Sequence, residues 1–371
     1  MYVDRLRVLA VGAVFIIHVC EVFNPWDEWH ITAPERSRIA GEIVVLFAPW
    51  IMPLFMLLAG VSAYYSLSRR GNVAYLKERV WRVLLPLVLG VLILVPPQVY
   101  LERRFRGQFG GSFLDFYPHF FDGIYPRGNF SWAHLWFLGH LFLYSVIALP
   151  ILRFWQHPRG QRMLRWLARV CGSSHGLLWL ALPLVIERIS LWGVFPERHM
   201  LTSDWSNHAL LFVAYLYGFV LAATPSVAEA IDAQWHSTLL IALASTAGLS
   251  AGTWFNVLPA GLPDPYTWVY VAFWVLYAIG AWAWVVTMLG VGRRWLGREG
   301  PELRYGRTIG YDWYLFHQPV IVAAAYWVVR WRVGLPEQII ALLAISASGT
   351  WASVVLLRGG RRVFRSSPRA R

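Results

Sequence analysis

Ten apolar stretches follow one another along the chain, at residues 6–24, 39–66, 83–100, 135–152, 176–195, 207–224, 237–258, 267–290, 308–329 and 336–357. Each is close to the ~20 residues that a helix needs to cross a bilayer. None alternates with the two-residue period of a barrel strand. Backbone groups in lipid must be satisfied within their own segment, so each stretch predicts a helix. The expected fold is all-α, a polytopic membrane protein of about ten transmembrane helices. Residues 1–357 are expected to form one transmembrane domain and residues 358–371 a short basic tail. The sequence shows no internal repeat and no low-complexity linker.

Composition agrees. Of 371 residues, 57% are hydrophobic and 14% charged, which excludes an ordinary soluble protein and intrinsic disorder alike. The 22 tryptophans suit a chain with aromatic belts at two membrane interfaces. Cys20 and Cys171 cannot staple a chain of this size and read as small hydrophobes.

A net charge of +13 would suggest nucleic acid in a soluble protein, but here the charges lie between apolar runs. With the N-terminus inside, basic residues gather at Arg5 and Arg7, then over 69–82, 153–169, 293–307 and 358–371, all on the cytoplasmic side. Both termini are then expected in the cytoplasm of a multi-pass inner (plasma) membrane protein whose partner is the bilayer and not nucleic acid. The loop from Thr224 to His236 departs from this rule, with no Lys or Arg although it falls inside. Arg5 and Arg7 before an apolar run imitate a signal peptide, but no small-x-small cleavage site follows, so the first stretch is expected to remain a span.

Ionisable residues at membrane depth are costly and mark function by default. Arg7 and His18 are eleven positions apart, almost three helical turns, so they share one face with about 16 Å between them. A cation at the rim could hold a phosphate while a histidine three turns deeper acts on the far end of a long thin molecule such as a pantetheine arm. Glu21, three residues on, is near enough to orient the imidazole. Equally, such a histidine can serve as an interhelical hydrogen-bond partner. Arg79 and Arg82 can face one anion, or simply obey the positive-inside rule, the reading adopted for Arg159, Arg162, Arg165 and Arg169. His134 and Trp136 open the fourth stretch, as belt residues or as acceptor contacts. His317 lies near the middle of its span, Asp312 is expected near the inner rim, and Gln98 follows two prolines where an interrupted helix can line a cavity. Glu187 and Arg188 point about 100° apart on a helix, so they are expected to look to different neighbours.

Arginine, ten residues and histidine on a first transmembrane helix resembles the signature of the acyltransferase-3 family of integral membrane acyltransferases. Further segments agree in order. The run Pro53–Gly60 is similar to that family's second-helix motif, with Ala59 replacing the usual serine, and Lys77–Pro86 to its basic run ending in proline. The segments Pro96-Pro97-Gln98-Val99-Tyr100 and His134-Leu135-Trp136-Phe137-Leu138 resemble the branch that modifies periplasmic glucans, and Tyr314-Leu315-Phe316-His317-Gln318-Pro319 its late Tyr-x-x-His segment. The soluble hydrolase-like domain that some members append is not expected among these 371 residues.

The resemblance implies a membrane-embedded O-acyltransferase. It would move an acetyl, succinyl or similar group from a cytoplasmic acyl-CoA donor to a hydroxyl of a glycan or other envelope acceptor, with acyl-CoA as co-substrate, no bound cofactor and no metal. His18 matches the family's essential histidine and would be the general base, oriented by Glu21. Arg7, Arg79 and Arg82 would bind the donor, and Gln98, His134, Trp136, Tyr314 and His317 would contact the acceptor or support the site. The rival reading is a transporter or polysaccharide exporter; the sequence lacks the paired broken helices in matching halves that would favour it.

Overall fold

A computed structural model describes residues 1–196, 200–255 and 263–366, with residues 360–366 as backbone alone. In chain order the helices are α1 (Tyr2–Glu21), α2 (Arg38–Leu67), α3 (Asn72–Arg79), α4 (Leu85–Ile93), α5 (Val95–Phe105), α6 (Phe113–His119), α7 (Trp136–Ile147), α8 (Leu149–Gln156), α9 (Pro158–Gly172), α10 (Leu182–Leu191), α11 (Trp205–Ala223), α12 (Pro225–Trp254), α13 (Trp268–Trp295), α14 (Pro301–Val328) and α15 (Leu335–Ser366). A π turn over Val80–Leu84 joins α3 to α4, and 3-10 turns over Ala133–Leu135 and Gly176–Ala181 precede α7 and α10. There is no strand among the described residues.

The chain is an all-helical membrane protein. Five stretches are long and apolar enough to cross a bilayer: Arg38–Leu67, Asn72–Phe105, Trp205–Ala223, Trp268–Trp295 and Leu335–Gly359. Two further pairs of helices pass the same test only together and are bent, Ala133–Ile147 with α8 at 47° and α9 with Gly176–Leu191 at 118°, which makes up to seven spans if each pair counts as one. Helices α1, α12 and α14 cover the other three expected stretches but do not pass on length and composition alone. The end of the seventh stretch, 256–258, and the last tail residues, 367–371, lie outside the described residues.

Two compact units divide the chain. The first comprises Met1–Ala10, Val45–Leu87 and Trp136–Glu299. Within it α2 and α11 touch backbone to backbone: a Cβ on Gly60 would come within 1.9 Å of the Tyr215 carbonyl oxygen, and one on Gly218 within 1.8 Å of that of Leu57. This is small-residue packing as membrane helices use it, where close approach replaces a hydrophobic driving force. It explains the glycine that ends the Pro53–Gly60 run. Helices α12 and α13 pair along their length, held by the Thr238 and Thr287 hydroxyls at 3.1 Å and, near one end, by Asp232 and Arg293 at 2.6 Å. Exposed Trp268 and Trp295 mark the two ends of α13, as interface anchors do. The π turn follows from Pro86, which has no N–H for the Arg82 carbonyl, while the Leu85 amide reaches back five residues to Val80.

One expectation in this unit is corrected. Glu187 and Arg188 do not look to different neighbours. Their side chains bend together to 3.7 Å, and the Ser206 hydroxyl links them by donating to Glu187 and accepting from Arg188. Arg188 also stacks among Trp192, Trp274 and Tyr277. A fixed 100° between Cβ vectors underestimates the reach of a long arginine.

The second unit comprises Val11–Val44, Val88–Leu135 and Gly300–Arg371. Its core is built by Phe15 and Val19 from the end of α1, Phe23 and Ile31 from the following loop, Ile321, Val322, Ala325 and Val328 from α14, and Leu342 from α15. Asp312 on α14 meets Arg358 on α15 at 2.8 Å, so the first residue of the expected tail is a tie between two helices. Helix α5 runs past its apolar stretch, and buried Arg103 uses it to fasten the next loop, donating to Asn129, Gln108 and the carbonyls of Pro126 and Gly128.

The α2–α11 contact generates a prediction. Gly60→Ala and Gly218→Ala should each lower the melting temperature of the detergent-solubilised protein by at least about 5 °C. Gly12→Ala, where a Cβ meets nothing within 4 Å, should leave it unchanged. Equal effects in all three would contradict the packing.

Candidate active site

Three histidines from distant parts of the sequence meet in the second unit. His18 Nδ1 lies 2.9 Å from His317 Nε2, and the rings stack at 5.0 Å between centroids. His134 stands edge-on to His317 at 5.2 Å. His18 projects from the last turn of α1, His317 from the middle of α14, and His134 from the 3-10 turn before α7. That turn is set by Ser131, whose hydroxyl accepts from the Ala133 amide, and by Ala133 itself at φ +42°, a left-handed conformation held at a cost.

A proline governs the arrangement. Pro319 has no N–H for the carbonyl of Leu315 four residues back, so that oxygen is left without its helical donor. His134 Nε2–H donates to it at 3.0 Å. In return the Tyr314 hydroxyl donates to the His134 carbonyl at 2.6 Å. The segment from Tyr314 to Pro319 thus clamps the His134 turn from both sides.

The carbonyls also settle where the ring protons sit. His317 Nδ1 is 2.7 Å from the Tyr314 carbonyl, which can only accept, so Nδ1 carries the proton and Nε2 a lone pair. His18 Nδ1 must then donate to that lone pair, which leaves the basic lone pair of neutral His18 on Nε2. His134, donating through Nε2, carries its lone pair on Nδ1. That atom is buried and meets no hydrogen-bond partner among the described residues.

A second buried chain adjoins the first. Trp29 stacks on His18 at 5.7 Å and abuts His30. His30 Nδ1–H donates to Glu102 at 2.5 Å, and Glu102 also accepts from Tyr125 at 3.1 Å and faces Arg106 at 3.5 Å. Burial, reinforced by the Glu102 charge, pushes the Tyr125 phenol up to about 12, so it stays a donor at neutral pH. The Gln318 amide nitrogen donates to His30 Nε2 at 3.2 Å and to Gln98 at 3.0 Å, and Gln98 in turn donates to the Leu94 carbonyl.

The expected site residues therefore fall into groups. His18, His134, Tyr314 and His317 come together, with Gln98 attached through Gln318. Glu21 does not orient His18: its carboxylate accepts from Asn24 at 2.8 Å, and the group on His18 Nδ1 is His317. Trp136 belongs to the first unit, where it packs edge-on to His140. Arg7 also lies there, donating to the Leu58 carbonyl and Ser62 hydroxyl at 2.5 Å each and paired with Asp4 at 3.2 Å. Arg79 lies 4.8 Å over the Tyr75 ring. Arg82 is exposed and pairs with Glu78 at 3.1 Å.

Trp29, His30 and Glu102 were not expected. Glu102 sits just past residue 100, where the apolar stretch ends, and was visible only by continuing the helical register to Phe105. Trp29 and His30 lie in a loop, where no periodicity signals burial.

The sequence model of one family, described as an acyltransferase domain, matches residues 2–358. Comparison with curated proteins and with solved structures gave no match.

The pairing pattern predicts unequal responses from two glutamates. Glu102→Gln removes the charge that His30 and Arg106 face and should destabilise the protein by about 3 kcal/mol. Glu21→Gln still offers Asn24 an amide oxygen and should cost less than about 0.5 kcal/mol. Chemical unfolding in detergent would measure both; equal losses would contradict the network.

Proposed function

For a chain that belongs to the acyltransferase-3 family, and is therefore an acyltransferase, we propose O-acyl transfer inside the membrane from a cytoplasmic acyl-CoA to a hydroxyl of a glycan or other envelope acceptor. The observation that carries this reading is the His18–His317 pair at 2.9 Å, with its proton order set by the Tyr314 carbonyl. A base must present a lone pair to the hydroxyl it activates, and this order directs that of His18 to Nε2.

His18 Nε2 takes the acceptor proton while the hydroxyl oxygen bonds to the thioester carbonyl carbon. Collapse of the tetrahedral intermediate breaks the C–S bond, and the imidazolium returns its proton to the departing thiolate. Ester and free thiol result. His317 steadies the imidazolium through Nδ1, His134 offers its Nδ1 lone pair to a second substrate N–H or O–H, and Gln98 and Tyr314 support them.

For the donor, Arg7 and Arg79 offer guanidinium groups that match phosphate oxygens. Arg82, committed to Glu78, would contribute less. Arg7 and His18 share the continuous helix α1, along which eleven residues rise about 16 Å, a distance suited to a pantetheine arm. The proposal takes both termini as cytoplasmic and ten spans in the inner membrane, counting α1, α12 and α14 with the five helices and two bent pairs. The family match supports acyl chemistry over export.

His18→Ala should abolish acyl transfer at wild-type expression, and His317→Ala should lower kcat by at least about 100-fold. Glu21→Gln should stay within about threefold. Arg79→Ala should raise the donor KM more than the acceptor KM, and more than Arg82→Ala does. A His18→Ala protein with a tenth or more of wild-type turnover, or equal KM effects on both substrates, would overturn the respective assignment.

A further inference from the structure

In the first unit, α9 carries Arg162, Arg165 and Arg169 at intervals of three and four, turned away from buried Leu164 and Cys171. Arginines outside the apolar spans need no explanation beyond orientation. These three have a further setting. With Ala168, Thr224 and Ser226 they line an open cavity of about 590 Å³.

The opposite wall of that cavity is the beginning of α12, a helix of thirty residues. Thr224 is its N-cap, yet the Thr224 side chain caps nothing. Pro225 has no N–H, so Ser226 supplies the first amide of the helix. A long helix presents partial positive charge and unsatisfied N–H groups at this end. The Thr224 hydroxyl is 9% exposed as a residue, lines the cavity, and its buried oxygen has no hydrogen-bond partner among the described residues. An N-cap threonine would ordinarily accept from the first turn.

No carboxylate answers the arginines. Arg162, Arg165 and Arg169 form no side-chain hydrogen bond or ion pair among the described residues, although other basic clusters are neutralised, as Arg70 and Arg82 are by Glu78 and Arg293 by Asp232. Three unpaired guanidinium groups, a helix N-terminus and a buried hydroxyl with no partner therefore converge on one space. We propose that this cavity binds a phosphate group, with the arginines meeting its oxygens, the Thr224 hydroxyl donating to one of them and the helix end adding its field. The site shares no residue with the histidine cluster and does not depend on the acyl-transfer reading.

Phosphate can arrive as a phospholipid headgroup or as a soluble phosphate. Exposed Met163 and Trp166 on α9, beside the arginines, are side chains that an interfacial helix sinks into lipid.

The test uses the full chain in detergent micelles. Thermal stability is followed while short-chain phosphatidylglycerol, short-chain phosphatidylcholine or inorganic phosphate is added, for wild type, for Arg162→Gln/Arg165→Gln/Arg169→Gln together, and for Thr224→Val. Phosphatidylglycerol should stabilise wild type, with an apparent Kd at least tenfold weaker in the triple variant and several-fold weaker in Thr224→Val. Competition by inorganic phosphate at similar concentration would identify a soluble phosphate; stabilisation by the lipid alone would identify a headgroup. A single cooperative melting transition without added ligand, near that of wild type, reports that the triple variant is folded. Should it fail to fold, the triple Arg→Lys variant replaces it, expected to bind more weakly than wild type because ammonium cannot grip phosphate in bidentate fashion. The proposal is overturned if neither phosphatidylglycerol nor inorganic phosphate binds wild type, if phosphatidylcholine stabilises wild type and the triple variant equally, or if the variants bind phosphatidylglycerol as wild type does.

Discussion

A carbonyl oxygen inside a membrane helix must be met by a donor, and a proline removes the donor four residues ahead of it. The second unit is organised around that deficit. Pro319 strips the Leu315 carbonyl, and the imidazole of His134 fills the gap at 3.0 Å. Pro96 strips the Leu92 carbonyl in the same way, and the Tyr117 hydroxyl from α6 meets it at 3.1 Å. Without the first substitution His134 would have no reason to lie against α14, and the three histidines would not assemble. The proline is therefore a positioning device, and the chemistry is built on the backbone group it exposes.

From that clamp the polarity of the site follows by elimination. Carbonyls only accept, so the Tyr314 oxygen fixes the proton on His317 Nδ1 and the Leu315 oxygen fixes that on His134 Nε2. His18, between His317 and Trp29, then presents its lone pair at Nε2. Together the two carbonyls set which ring nitrogen of each histidine keeps its lone pair. The neighbouring Glu102–His30 pair, buried with Gln98 and Gln318, is saturated with partners and serves to hold the loop that bears Trp29.

Much of this was legible in the sequence. Apolar length marked the helices because lipid leaves the backbone no alternative; the stretch 39–66 became Arg38–Leu67. The same signal dimmed wherever function required charge, which is why α1, with Asp4, Arg5, Arg7 and Glu21, reads as a span only through its pattern. His18 and His317 stood out as polar groups in apolar surroundings, His134 by opening an apolar stretch, and Tyr314 only through the family resemblance. Their pairing did not, since a separation of 299 residues between His18 and His317 carries no periodicity. Glu21 lay three residues from His18, but Asn24 lay equally close to Glu21 and took it. For Arg162, Arg165 and Arg169, the orientation rule was a sufficient account until the start of α12 appeared opposite them.

The central claim is the proton order imposed on His18, and nitrogen-15 NMR of the protein with labelled histidine rings reads it directly. Signals that vanish in His18→Gln belong to His18. The account predicts, at neutral pH, a protonated Nδ1 and an unprotonated Nε2 for that residue. A His18 with its proton on Nε2 and a bare Nδ1 would contradict it.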